Sequence, residues 1–288
     1  ELIHIPSQGD YRKRLAADIT SGAPADIVLV SYRRFAELAA KNAFEPLGPY
    51  LEQSDQIKVA DFYQPAIQPY TWQGQLICIP QNISSLVLYY NKDIFDKAAA
   101  SYPADNWSWD DFIAAAQALT LDTDNDGQID QYGVGVEPEL IRVAPFIWQN
   151  NGFVNYRNAL ALDYPTSMEA IQWFVDWQVK YHIVPNAVEE ASESSENRFI
   201  NGRTAMYFNS RRGVAAYRAV AGLDWDVAVI PSYKGRHTNL LTSDGYCITT
   251  AAPDPAAAWR LIEFAASEVG QTLLARTGRV GPSLIRVA

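Results

Sequence analysis

Short apolar runs alternate along the chain with longer stretches whose apolar residues recur at helical spacing. Short continuous apolar runs are typical of buried strands, and apolar residues three and four positions apart are typical of helices. We therefore expect strands at residues 2–5, 26–30, 76–80, 227–231 and 245–250. We expect helices at residues 11–20, 33–41, 108–121, 168–182, 197–201 and 255–266.

This alternation predicts an α/β fold in which helices cover both faces of a sheet. The helix at 108–121 has the strongest start signal, because Ser108 and Asp111 have the spacing of a capping box. Residues 189–196 are polar and acidic, which is typical of a solvated segment leading into a helix.

Length and composition narrow the class of protein. A chain of 288 residues is long enough for about two domains, and 48% hydrophobic with 19% charged residues is a globular balance. The formal charge of −10 disfavours nucleic acid and anionic membrane surfaces as partners. The 8 Trp, 16 Tyr and 11 Phe exceed what most cores need, and such rings also bind flat apolar faces of ligands.

The two cysteines and the two ends of the sequence carry weaker signals. Cys78 and Cys247 each lie in an apolar, strand-like run, so a disulfide scaffold is excluded. We favour two buried free thiols, with one cross-strand disulfide as the alternative.

No apolar run is long enough to span a membrane, and no signal peptide is recognisable at the start. We expect both ends to be truncated and any signal segment to be absent from the sequence.

A search for catalytic motifs finds no nucleophile elbow, zinc-protease helix, phosphate loop or Cys-x-x-Cys pair. The three histidines are far apart in the sequence. Adjacent carboxylates at 110–111 and 189–190 are the visible candidates for a glycosidase, but neighbouring side chains point apart. We therefore expect no enzyme, and a glycan-active enzyme such as a glycoside hydrolase stays the alternative.

One segment has the pattern of a calcium loop. Oxygen-bearing side chains occur at alternate positions with Gly127 sixth, as in the first part of an EF-hand loop. The predicted ligands of a structural Ca²⁺ are Asp122, Asp124, Asp126, Gln128 and Asp130. The twelfth position is Gly133 rather than Glu, so we expect Glu137 or Glu139 to complete the shell. The alternative is an acidic turn without an ion.

Several segments, in order, resemble one family. They are residues 22–28 (GAPADIV), 74–80 (GQLICIP), 86–95 (LVLYYNKDIF), 107–112 (WSWDDF), 199–206 (FINGRTAM) and 225–231 (WDVAVIP). Together they resemble the extracellular family 1 solute-binding proteins of ABC importers, the carbohydrate-binding class that includes maltose-binding proteins. The resemblance extends over nearly the whole chain.

The resemblance implies a two-lobe, periplasmic-binding-protein-like type II α/β fold with hinge strands. Lobe I would comprise residues 1–86 and 243–288, and lobe II residues 87–242. The protein would be an extracytoplasmic, monomeric receptor that captures a mono- or oligosaccharide in the interlobe cleft and delivers it to the transmembrane subunits of an ABC permease. Nucleic acid would not be a partner. A calcium-dependent interaction module is a further alternative.

The resemblance also places the ligand site at loops that follow strands. A sugar needs planar donors and acceptors for its hydroxyls and an aromatic face for its ring. The candidate residues are Tyr32, Arg33, Arg34, Gln81, Asn82, Ser84, Arg142, Trp148, Asn209, Arg211, Arg212, Asp244 and Tyr246.

Five of these candidates are arginines, which suggests a local basic pocket in an acidic protein. Guanidinium groups bind carboxylate, sulfate or phosphate oxygens in pairs. We therefore hypothesise a partly acidic carbohydrate as the ligand. In the alternative, the arginines pair with Asp or Glu of the protein, bridge the lobes or stack on a neutral ring.

Overall fold

The structure is a computed structural model that describes residues 2–5, 8–157 and 159–288. The chain divides into two compact units. Unit 1 consists of the chain up to Ser84 together with Leu241–Ala288, and unit 2 is Ser85–Leu240. The boundaries predicted from the sequence lie two residues further along the chain at each crossing.

The helices are α1 (Gln8–Ser21), α2 (Tyr32–Ala39), α3 (Gly48–Glu52), α4 (Gln64–Ile67), α5 (Lys92–Lys97), α6 (Trp109–Ala118), α7 (Leu140–Gln149), α8 (Pro165–Val179), α9 (Ala187–Ser192), α10 (Ser195–Ile200), α11 (Gly213–Arg218), α12 (Pro255–Ala266) and α13 (Glu268–Arg276). Short 3₁₀ turns lie at Val59–Asp61, Gln68–Tyr70 and Ile285–Val287.

The strands are β1 (Ile27–Ser31), β2 (Thr71–Trp72), β3 (Gln75–Leu76), β4 (Cys78–Pro80), β5 (Asn82–Ser85), β6 (Val87–Asn91), β7 (Tyr132–Gly135), β8 (Asn155–Tyr156), β9 (Ala159–Leu160), β10 (Thr204–Asn209), β11 (Trp225–Ala228), β12 (Leu241–Thr242), β13 (Asp244–Ile248) and β14 (Gly281–Pro282).

Unit 1 is built on a sheet of order β1-β13-β4, in which the late strand β13 lies between two early ones and runs antiparallel to both. Alternate residues of this sheet belong to two separate cores. Ile79 and Ile248 face a cluster with Trp259 of α12. The preceding residues, Cys78 and Cys247, face a cluster with Phe35 of α2. Helices therefore cover both faces, as the sequence predicted.

Cys78 and Cys247 are directly opposite each other on β4 and β13 and form a disulfide, with Cα atoms 4.5 Å apart. The favoured prediction of two free thiols is therefore wrong. Apolar flanking residues indicate burial correctly, since both cysteines are fully buried. They carry no information about which strands are neighbours, and strand pairing brings the two sulfur atoms within bonding distance.

Unit 2 is built on a sheet of order β11-β6-β10-β7. β6 runs antiparallel to β10 and β11, and β7 runs parallel to β10. One face is covered by a large aromatic core in which Phe112 and Phe146 pack edge to face or tilted against Trp177 and Phe208, and Trp177 stacks on Phe208. Much of the aromatic excess noted in the sequence therefore serves packing.

Two predicted elements differ in the structure. Residues 2–5 form no strand, and Leu2 is 92% exposed, because an apolar run becomes a strand only where a partner strand is available. The acidic segment at 189–196 forms α9 and the start of α10 instead of a solvated approach. Its carboxylates are used locally: Glu189 accepts from the Asn186 backbone N–H, and Glu190 from Ser195.

Candidate functional site

In unit 1, four of the predicted ligand residues form a continuous chain of hydrogen bonds. Gln81 Nε2 donates to the Tyr246 hydroxyl at 2.5 Å, and Asn82 Nδ2 donates to Gln81 Oε1 at 3.1 Å and to Asp244 Oδ2 at 3.3 Å. The pairing of β4 with β13 explains this arrangement, since the residues after β4 lie opposite the start of β13. We call Gln81, Asn82, Asp244 and Tyr246 the amide relay.

A group of phenols surrounds the carboxylate end of the amide relay. Burial raises the pKa of Tyr11, Tyr32 and Tyr70, and the negative charge of Asp244 adds to the rise in each case. The Tyr70 hydroxyl lies 2.8 Å from the carbonyl oxygen of Ser243, its acceptor. Gly245 is required there, because a Cβ atom would meet the Tyr70 ring at 2.8 Å.

The first turn of α2 carries Arg33 and Arg34. Together with Arg12 of α1 and Ser31 they line a cavity of about 150 Å³. Arg34 lies 3.7 Å from Glu37, and both side chains are more than half exposed. Tyr32, also predicted as a ligand residue, is half-buried at the start of the same helix, and its backbone N–H donates to Ser243.

In unit 2, two of the arginines predicted to form a basic pocket, Arg142 and Arg212, share an acidic partner. Arg142 donates from Nη2 to Glu137 Oε2 at 2.6 Å, and Arg212 Nη2 lies 3.6 Å from Glu137 Oε1. Arg142 is nearly buried, whereas Arg212 and Glu137 are half-exposed. The arrangement presents a carboxylate oxygen beside a guanidinium fork. It also neutralises part of the positive charge that the sequence suggested.

Asn209 lies in a buried polar network behind this group. Its Nδ2 donates to the Tyr217 hydroxyl at 2.8 Å and to Glu196 Oε1 at 3.2 Å, and its Oδ1 accepts from the Ser210 backbone N–H. Burial raises the pKa of Tyr217, so the phenol stays neutral and donates to Glu196. Asn209 therefore holds the end of β10 in place, and the protein itself uses its amide.

The remaining predicted ligand residues lie near these groups within their own units. Ser84 is on β5, where its carbonyl accepts from Thr242 at 3.2 Å. Trp148 is half-buried on α7, the helix that carries Arg142. Burial raises the pKa of Tyr89 to about 12, and the nearby charge of Arg211 partly opposes that rise.

Sequence reasoning did not select Arg12, Ser31 or Tyr207 for this site, and it gave Glu137 another role. Tyr207 is fully buried, and its hydroxyl has no hydrogen-bond partner among the residues that the structure describes. Burial raises the pKa of Tyr207, and the charges of Glu137 and Glu196 add to the rise. Ser31 lies between a strand and the arginines of α2, and this strand-end position could have identified it as a candidate site residue. Nothing in the sequence relates Arg12 to α2.

The predicted calcium loop connects α6 to β7 and is closed at its base by backbone hydrogen bonds between Leu121 and Gln131. One oxygen from each of Asp122, Asp124 and Asp130 lies within 4.8 Å of the others. Three carboxylates at this distance suit a hard cation. Asp126 instead accepts from Gln128 Nε2 at 3.1 Å. Glu137 is paired with arginine, so the distal ligand expected from the sequence is engaged elsewhere.

Comparison with known proteins places the chain among binding proteins. The sequence model of a family described as "Bacterial extracellular solute-binding protein" matches residues 3–272. The sn-glycerol-3-phosphate-binding periplasmic protein UgpB of Escherichia coli (strain K12) is 28% identical over 78% of this chain and 52% of its own length. The chain spans between about half and 61% of the length of the curated relatives that it matches.

Solved structures resemble the fold over nearly the whole chain. The substrate-binding protein Lmo0181 of Listeria monocytogenes, in complex with cycloalternan, has a TM-score of 0.88 at 22% identity, over 97% of this chain and 71% of that one. Maltose-bound MalE3 of T. maritima has a TM-score of 0.82 at 20% identity, over 100% of this chain and 74% of that one. The predicted two-lobe α/β fold is confirmed. Among the described residues, no helix is long and apolar enough to cross a bilayer.

Proposed function

We propose that this chain, which belongs to the family of bacterial extracellular solute-binding proteins, is a receptor that binds a carbohydrate or a related polyol for an ABC importer. The family predicted from the sequence is confirmed by the match over residues 3–272. The observation that carries the choice of ligand is the amide relay of unit 1.

The chemistry of the relay suits hydroxyl groups. Each hydroxyl both donates and accepts, and the relay offers amides, a carboxylate and a phenol within one row. The amides are already fixed by bonds to each other, so little side-chain freedom is lost when a ligand binds. In unit 2, Glu137 and Arg212 offer an acceptor beside a donor, which suits adjacent hydroxyls in the same way.

The relatives support this class of ligand. The E. coli relative is named for binding sn-glycerol 3-phosphate, and the solved structures bind cycloalternan and maltose. The Cys78–Cys247 disulfide supports an extracytoplasmic location, because such bonds persist in oxidising compartments. We further propose a monomer that works with the transmembrane subunits of an importer. The charge of −10 argues against nucleic acid as a partner.

Binding without turnover is the proposed activity. The carboxylate pairs that could serve a glycosidase have other partners: Asp111 accepts from the Ser108 backbone N–H in a capping box, and Glu190 accepts from Ser195. These acids stabilise helix starts, which accounts for their presence without any catalytic role.

A thermal-shift screen tests the proposal. The panel contains neutral mono- and oligosaccharides, uronates and sn-glycerol 3-phosphate, and product analysis accompanies every hit. One ligand class should raise the unfolding midpoint with no turnover. Gln81→Ala should weaken binding of that ligand at least tenfold, whereas Gln117→Ala, an exposed position on α6, should leave it unchanged. A panel without any shift, or conversion of the ligand, would contradict the proposal.

We propose separately that the loop at 122–130 binds Ca²⁺ as a structural ion through Asp122, Asp124 and Asp130. An ion would relieve the repulsion among the three carboxylates and hold the loop between α6 and β7. Calcium at 1 mM should raise the unfolding midpoint, and excess chelator should reverse the rise. Asp124→Asn should abolish this response, and Asp163→Asn, at an exposed position, should keep it. An equal response in both variants would exclude the loop as the site.

A further inference from the structure

Helix α13 buries a polar side chain and exposes apolar ones. The helix lies wholly within the described part of the chain, and Gln271 is its one buried residue. Val269 and Leu273 on the same helix are more than half exposed. A surface helix normally packs its apolar residues against the core, and a buried amide is stable only where its polar groups are hydrogen-bonded. The contacts of Gln271 must therefore account for its burial.

Both ends of the Gln271 amide are hydrogen-bonded, and one of them is bonded to the amide relay. Its Nε2 donates to the backbone carbonyl of Gln81 at 2.7 Å, and its Oε1 accepts from the Ser283 backbone N–H at 2.9 Å. The backbone N–H of Gln81 donates to the carbonyl of Asp244 at 2.7 Å. The backbone of Gln81 is thus held by α13 through its carbonyl and by β13 through its N–H.

Ser283 is a second buried support of the same segment. It follows β14, which pairs with β5, and it is fully buried. Its hydroxyl donates to the carbonyl of Pro80 at 2.5 Å, and its own carbonyl accepts from the Tyr63 backbone N–H at 3.1 Å. Two buried side chains from the last part of the chain therefore hold the segment 80–82.

The bond from Gln271 acts on a peptide unit that two relay residues share. The carbonyl of Gln81 belongs to the peptide unit that links it to Asn82, and this unit is planar, so a rotation of its plane moves both residues. Their side chains supply the two amides of the relay, which bond to Tyr246 and Asp244. Binding groups keep a productive geometry only when the residues behind them are fixed.

From these contacts we infer that Gln271 and Ser283 are positioning residues of the solute site. They hold the peptide units on both sides of Gln81, so that the amides of the relay keep one orientation toward the hydroxyls of a solute. The inference rests on the proposed function for the statement that the relay binds a solute. Neither residue was selected from the sequence, because Gln271 lies 190 positions from Gln81 along the chain.

The test compares Gln271→Met with a matched control. Methionine keeps the length of the side chain and removes both hydrogen bonds. The control is Ser54→Ala, since Ser54 is also buried in unit 1 and its hydrogen bonds, to Glu263 and to the Ile57 backbone N–H among others, lie outside the amide relay. Both variants should lower the unfolding midpoint.

Two measurements are made well below that midpoint. Calorimetry gives the dissociation constant of whichever compound of the panel (neutral saccharide, uronate or sn-glycerol 3-phosphate) stabilises the wild type. Nuclear magnetic resonance follows the side-chain amide signal of Gln81, which is assigned by its loss in Gln81→Ala.

We expect Gln271→Met to bind that compound about tenfold more weakly, the factor that corresponds to one lost buried hydrogen bond. It should also shift the amide signal of Gln81, whereas Ser54→Ala should change neither quantity. Ser283→Ala is the milder variant and decides the question if Gln271→Met does not fold. It should shift the same signal and weaken binding by about threefold.

An effect of Gln271→Met no larger than that of Ser54→Ala would overturn the inference, because the amide would then serve stability alone. An unchanged Gln81 signal, or a shifted signal with unchanged affinity, would overturn it as well. Failure of the receptor function gives a different result. If the wild type binds no compound of the panel and Gln271→Met still shifts the Gln81 signal, the receptor function is wrong and the positioning of the relay by Gln271 stands.

Discussion

Glu137 determines what the arginines of unit 2 can bind. Its carboxylate accepts from the nearly buried Arg142 and lies beside the half-exposed Arg212. A buried guanidinium is costly without a partner, so this carboxylate stabilises the fold and also limits the affinity for an external anion. One acidic residue thus neutralises part of the charge of this basic cluster and adds a hydrogen-bond acceptor to it.

Glu137→Gln should lower the free energy of unfolding by about 1 to 2 kcal/mol. The bond from Arg142 is charge-assisted, and the partial exposure of Glu137 reduces its value below that of a fully buried pair. Urea unfolding followed by tryptophan fluorescence measures the change.

Glu37→Gln is the matched control for this variant, because its partner Arg34 is exposed. That substitution should change the free energy by less than about 0.5 kcal/mol. Equal effects of the two variants would show that Glu137 is not a structural partner of Arg142.

At the residue scale, the sequence indicated which loops carry polar groups but not how those groups pair. Gln81, Asn82, Asp244 and Tyr246 were selected as strand-end residues, and the structure brings them together. Asn209 was selected by the same reasoning and is instead buried against Tyr217 and Glu196. The difference is decided by contacts between distant segments, which have no local signature.

At the scale of elements, β13 unites the two chain segments of unit 1. It forms backbone ladders with β1 and β4, and the disulfide joins it to β4 through its centre. Local patterns predicted this strand and the helix at 255–266 well. An apolar run indicates a buried strand and a capping residue indicates a helix start, and both signals lie in residues that are adjacent in the sequence. The order of the strands depends on long-range pairing, and for that reason the disulfide was only the alternative to two free thiols.

Reduction of the disulfide should destabilise unit 1 by about 3 to 5 kcal/mol, since the bond closes a loop with a sequence separation of 169 residues. The double substitution Cys78→Ser and Cys247→Ser should have a similar effect. Guanidinium unfolding with and without a reducing agent measures it.

The double variant is also the control for the reductant, because its stability should not respond to reducing conditions. If reduction left the wild-type transition unchanged, the bond would not stabilise unit 1.

At the scale of the whole molecule, the two units differ in how the chain builds them. Unit 2 is one continuous segment, whereas unit 1 combines the first part of the chain with the last. The cores follow this division: the large aromatic core uses residues of unit 2 alone, and the core around Trp259 and Ile79 needs both segments of unit 1. The crossings implied by the family resemblance, at residues 86–87 and 242–243, lie two residues further along the chain than those between the two units.

This difference predicts how fragments behave. Residues 85–240 should fold alone, with a cooperative unfolding transition and near-ultraviolet circular dichroism from packed aromatic rings, because the sheet and core of unit 2 are complete within them. Residues 1–84 alone should stay unfolded, because β1 and β4 both pair with β13 and do not pair with each other.

The control joins residues 1–84 to 241–288 through a short glycine-serine linker. Thr242 donates to the carbonyl of Ser84 at 3.2 Å, so the two ends lie side by side and a few residues can connect them. The joined chain should regain cooperative unfolding and the Cys78–Cys247 bond. Cooperative folding of residues 1–84 without the last segment, or an unfolded 85–240 fragment, would refute the assignment of the two units as separate folding bodies.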